Sequence, residues 1–125
     1  MTLVILLLVL LGIKHFVCDF LLQNDRMLFD KGFYGAPGGI KHAVIHAIGT
    51  TIVLFLILPW RLDAHLAAII LGMLDGAIHY HIDWAKTNLS RGLTPADKKF
   101  WIWLGADQGL HYLTYVLIIA IIVLL

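Results

Sequence analysis

Four pairs of imidazole and carboxylate side chains, each pair four positions apart, carry the chemistry open to this chain: His15 with Asp19, His42 with His46, His79 with Asp83, and Asp107 with His111. Residues at i and i+4 stack on one face of a helix, and helical bundles build metal sites from such inward-projecting groups. Nitrogen and oxygen donors without a thiolate suit Zn first, with Fe or Mn also accommodated, as one or two ions. Imidazole-rich ligation makes a pure Mg or Ca site less natural. A proton or ion pathway could use the same groups, and so could a structural polar network between helices. Four matched pairs favour a metal over both.

The densest stretch runs from Gly76 to Lys86, where an apolar segment carries His79, His81, Asp83 and Lys86. Ionisable groups inside a hydrophobic segment cost several kcal/mol unless paired, liganded or wetted, so they mark a functional site. In a metal-assisted hydrolysis, Asp83 or Asp107 would act as general base. Lys86, one turn beyond Asp83, either snorkels to the headgroups, pairs with Asp83 or binds a substrate phosphate. Asp75 is the deepest acid, either a ligand or a protonated or paired group. His81 falls on nearly the opposite side of its helix from His79, and Asp63 and His65 belong to the other membrane face.

The elements that must position these groups follow from composition. The chain has 125 residues, 61% of them hydrophobic, and a mean hydropathy of +0.90, which is a membrane protein's composition. The pattern predicts an all-α fold, a transmembrane four-helix bundle forming a single domain over 1–125, with spans at about 2–22, 40–58, 64–86 and 100–125. Each span is about the length that crosses a hydrocarbon core. A short interfacial helix and a flexible connector are expected in loop 23–39, and in loop 87–99 Thr94 is expected to cap a helix opened by Pro95. Trp84, Trp101 and Trp103 fit an aromatic belt.

Joined up and down, the first and third spans end where the second and fourth begin, so all four polar pairs fall at overlapping depths in one leaflet. Arg26, Lys31, Lys41, Lys86, Arg91, Lys98 and Lys99 flank that side against Arg61 on the other, which makes it cytoplasmic. Both termini then lie on the non-cytoplasmic side. A net charge of +1 gives no reason to expect a nucleic-acid partner. The single Cys18 excludes a disulfide framework and reads as a packing residue. The first apolar run has no cationic leader and no small-residue cleavage site, so it is expected to remain as a span.

At His15-Phe16-Val17-Cys18-Asp19-Phe20-Leu21-Leu22-Gln23, Lys31, His42 with His46, His79 through Asp83 to Lys86, and Asp107-Gln108-x-x-His111, the chain resembles a family of small multi-pass membrane proteins from bacteria and phages catalogued as a domain of unknown function. The likeness covers nearly the whole chain. It implies a shared fold and polar site, gives Gln23, Lys31 and Gln108 weight as supporting or substrate-facing groups, and implies no reaction.

The sequence therefore points to a membrane-embedded, metal-dependent hydrolase in the bacterial inner membrane, acting from the cytoplasmic leaflet on a lipid or other amphiphilic substrate. An oxidative di-iron centre could use the same ligands. The runner-up is a metal-ion or proton transporter or channel subunit. The missing polar residues in the outer halves of three spans speak against a continuous path within one subunit, although a homo-oligomer could supply one.

Overall fold

The computed structural model of the protein describes residues 2–124. Among these the elements are helical: α1 (Thr2–Phe16), continued by a π-helical turn (Val17–Leu21), then α2 (Asp25–Asp30), α3 (Pro37–Ile57), α4 (Leu62–Leu89) and α5 (Lys98–Leu124). Four of the helical stretches are long and apolar enough to cross a membrane. The 21 residues of α3 reach about 31 Å at 1.5 Å per residue, which matches a hydrocarbon core.

Local sequence explains the boundaries. Asn24 caps α2, its side chain accepting the Met27 N–H at 3.0 Å. Helix α3 starts at Pro37, earlier than the expected span, because proline suits a first helical position. Gly38 makes that start compatible with α2: its N–H donates to Asp30 Oδ2 at 2.8 Å, and a Cβ there would meet Asp30 Cβ at 2.8 Å. Helix α3 stops at Leu58, whose extended backbone is what a residue before proline prefers. The expected cap at Thr94 is not formed. Asp97 Oδ2 instead accepts from the Thr94 N–H at 2.8 Å and the Thr94 hydroxyl at 2.9 Å, and α5 begins at Lys98. Those two bonds hold the Asp97 carboxyl below the usual carboxylate range.

Two layers lie across the bundle. One is apolar, with Leu7 and Leu11 from α1, Val53 and Leu54 from α3, Leu71 from α4 and Ile118 from α5. The other holds the buried Lys14, His15, His42, His46, Asp75, His79, Asp83, Asp107 and His111. Helices α1 and α4 pass from the apolar layer to the polar one, and α3 and α5 pass the other way. The outside is apolar too: Ile13, Phe16, Ile48, Ile52, Ile70, Met73, Leu113 and Val116 are all exposed. A polar interior inside an apolar coat is the arrangement lipid requires.

Helices α3 and α4 make the closest approach. A Cβ on Gly76 would stand 2.7 Å from the Ala43 carbonyl and 2.9 Å from Ala47 Cβ, and one on Gly72 would stand 2.6 Å from the Ala47 carbonyl. Lipid tails are as apolar as leucine, so this small-residue packing, rather than hydrophobic burial, holds the two helices together. It also sets the distance between the histidines above it.

Candidate metal centre

The π-helical turn supplies the first group. The Leu22 N–H donates to the Val17 carbonyl at 3.0 Å, an i→i+5 bond, and within that widened turn Asp19 faces the bundle while Phe20 and Leu21 face out. Such turns recur at functional sites. The α3–α4 contact supplies His42, His46, His79 and Asp83.

These side chains converge. Asp19 Oδ1 lies 2.9 Å from His42 Nε2, 3.1 Å from His46 Nε2 and 3.7 Å from His79 Nε2. The Nε2 atoms of His42 and His79 are 3.1 Å apart, and Asp83 Oδ2 lies 3.4 Å from the first and 3.1 Å from the second. Ligand atoms held about 2.0–2.2 Å from a tetrahedral ion stand about 3.3–3.6 Å from one another. The observed separations straddle that spacing. Two groupings satisfy metal-site geometry, Asp19 with His42, His46 and His79, and His79 with Asp83 and His111, joined at His79.

Hydrogen bonding alone leaves this cluster incomplete. His111 Nε2 is buried and has no aligned hydrogen-bond partner, and neither do the Nδ1 atoms of His42 and His79. Buried polar atoms left so are costly, and a cation among the Nε2 and carboxylate atoms would answer the first of these. The donor set and its spacing therefore fit a divalent transition metal.

The outer members are arranged around that core. His15 Nε2 is 3.0 Å from Asp19 Oδ2, and its Nδ1 is 2.8 Å from the Tyr115 hydroxyl. Asp107 Oδ1 is 3.5 Å from His111 Nε2, and Gln108 Nε2 donates to Asp107 Oδ2 at 3.0 Å. His15 and Asp107 thus border the two groupings without belonging to either. Lys31, carried by the chain after α2, reaches Asp83 Oδ2 at 2.9 Å and is buried. Lys86, half-buried, makes no ion pair with Asp83, so the cation at that carboxylate is Lys31. Gln23 is half-buried and makes no bond through its Oε1. His81 lies outside the site, its Nδ1 donating to the Ala77 carbonyl at 2.7 Å and its Nε2 3.1 Å from the Tyr34 hydroxyl. His65 packs against Phe55 and Trp60 at the far side.

One level deeper, Lys14 is buried and donates to Asp75 Oδ2 at 2.7 Å, to His46 Nδ1 at 3.2 Å and to the Tyr115 hydroxyl at 3.2 Å. The Thr50 hydroxyl also donates to Asp75 Oδ2 at 2.6 Å. Asp75 is therefore a paired anion, outside both groupings. Sequence reasoning gave Lys14, Thr50 and Tyr115 no role. The available signal was a lysine midway along an apolar helix at the depth of Asp75, with Tyr115 one turn beyond His111.

Residues 5–125 match the family described as Protein of unknown function (DUF3307). The chain belongs to that family. No curated protein and no solved structure matches it. The DUF3307 match spans every residue of the two groupings, from Asp19 to His111.

Proposed function

We propose that this protein is a membrane-embedded, metal-dependent hydrolase whose site opens toward the cytoplasmic leaflet of a bacterial inner membrane and takes a lipid or other amphiphilic head group. The observation that carries this reading is the meeting of Asp19, His42, His46 and His79 at ligand spacing, contributed by three separate helical stretches, with Asp83 and His111 forming a second grouping around His79. Asp19, His42 and His79, with His46 close enough to join them, would hold one ion, and His79, Asp83 and His111 could hold a second. A bound divalent ion would supply Lewis acidity and acidify water at neutral pH.

The surrounding residues supply the rest. Asp107, which accepts from Gln108 and lies 3.5 Å from His111 Nε2, would act as general base through that imidazole. Lys31 offers an ammonium at Asp83 to a phosphate or carboxylate head group. Lys86 lies near the same membrane face and would meet the head group from outside. Four spans leave the acyl or isoprenoid part of such a substrate in the lipid.

A transport reading is favoured by one observation, the buried Lys14–Asp75 pair. Beyond it, Leu7, Leu11, Leu54 and Ile118 are fully buried and close the bundle, which supports a site with one mouth.

The test is elemental mass spectrometry of detergent-purified protein, wild type beside His42→Ala/His79→Ala, followed by hydrolysis assays on phospholipid and polyprenyl phosphate vesicles. One or two equivalents of Zn, Fe or Mn in the wild type, absent from the variant, are expected. No bound metal after loading, or full metal content in the variant, overturns the reading.

A further inference from the structure

His46 and His42 sit on one helix face and both reach Asp19 Oδ1, yet their second nitrogens meet different surroundings. His42 Nδ1 has no protein partner, whereas His46 Nδ1 faces Lys14 Nζ at 3.2 Å. An ammonium has three hydrogens and no acceptor. The three hydrogens of Lys14 are taken by Asp75, Tyr115 and His46. His46 Nδ1 must then accept, which leaves the ring proton of a neutral His46 on Nε2. That nitrogen donates to Asp19 Oδ1 at 3.1 Å.

We infer that Lys14, anchored by Asp75 and Thr50, fixes His46 in the Nε2–H form, so that His46 orients Asp19 and does not bind the metal. A nitrogen carrying hydrogen has no lone pair for an ion, and the imidazole ligands are then His42 and His79. Their Nε2 atoms face each other and both nearby carboxylates, and neither has its other nitrogen held by a donor. With Asp19 they make a set of two nitrogens and one oxygen, and Asp83 stands in the second grouping around His79. Lys14, Asp75 and His46 form a chain of positioning groups behind Asp19, the supporting role that outer-shell partners play in metal sites. This assignment rests on the metal reading above, but the proton position on His46 can be measured without any metal.

Nitrogen-15 NMR of the histidine side chains in metal-free protein in micelles should show His46 protonated at Nε2 and accepting at Nδ1, and the same after Zn is added. A Nδ1 proton on His46, or loss of its Nε2 proton on Zn addition, overturns the inference. Zn titration then separates the roles. His46→Gln, which retains a donor toward Asp19, should bind Zn within about tenfold of wild type, while His46→Leu should bind about 10–100-fold more weakly. His42→Gln should lose the ion. Equal loss in His46→Gln and His42→Gln makes His46 a ligand and overturns the inference. A wild type that takes up no Zn sinks the hydrolase reading, and the proton position on His46 then decides the Lys14 assignment alone.

Discussion

Replacing Lys14 with Met removes the cation from Asp75 while leaving a side chain of similar length in the bundle. Asp75 is 1% exposed and would keep only the Thr50 hydroxyl as a close donor. A charged group at the centre of a spanning helix costs about 3 kcal/mol on insertion scales. Removing one partner of a buried ion pair costs about 3–5 kcal/mol. The two scales agree, so Lys14→Met and Asp75→Leu should each lower stability by about 3 kcal/mol or more. The double variant removes both charges. Its remaining cost is the His46 Nδ1 acceptor and the Thr50 hydroxyl left short of a partner, about 1–3 kcal/mol each, and each of these costs is already present in one of the single variants. The two single losses should therefore exceed the double loss by about 3 kcal/mol or more, against about 0.6 kcal/mol for an average hydrogen bond between membrane helices. The assay is reversible unfolding in mixed micelles of sodium dodecyl sulfate and a mild detergent, with all four proteins compared at one detergent ratio. A coupling near the hydrogen-bond value would refute the dry ion pair and, with it, the argument that Lys14 is held in one orientation.

Gly76→Leu should separate α3 from α4, because its Cβ would already stand 2.7 Å from the Ala43 carbonyl, and both stability and bound metal should fall. Gly109→Ala is the counterpart: nothing lies within 4 Å of a Cβ there, so a gain of up to about 1 kcal/mol from helix propensity is expected with metal content unchanged. Both are read by the same micelle unfolding and elemental analysis. Lys31→Gln should raise KM for an anionic amphiphile more than it lowers kcat, measured on phosphate-bearing vesicles, since Lys31 meets Asp83 from the loop side and takes no place among the converging nitrogens.

The fold was legible because spanning helices need long apolar runs, and each run here carries its imidazole or carboxylate pair where its helix faces the others, with Lys41 and His81 on the outer faces. The site was legible for a related reason. His15, Asp19, His42, His46, His79, Asp83, Asp107 and His111 stand at helical spacing and at one depth, and the structure links them side chain to side chain. What spacing could not supply was rank within the layer. Whether Asp75 binds metal or a cation depends on Lys14, 61 positions away, and no periodicity links two helices. The cation at Asp83 was hidden in the same way: pairing with Lys86 was one alternative to snorkelling because Lys86 is near in sequence, whereas Lys31 arrives from a loop whose path is set by Gly38 against Asp30. Thr94 failed as a cap because Asp97, three residues on, competes for its N–H and hydroxyl.

The π-helical turn at Val17–Leu21 amounts to a phase shift written into the first span. A regular helix advances about 100° per residue, so one residue more or fewer in that turn swings everything on one side of it by roughly a quarter of a circle. Lys14 and His15 lie before the turn and Asp19 within it, and all three point to the same interior. A single-residue deletion there would give the backbone a more regular helix and the site a missing carboxylate. Chain length between His15 and Asn24 is thus under tighter geometric constraint than the identities of the lipid-facing Phe16, Phe20 and Leu22, any of which could change to another apolar residue without turning Asp19 away.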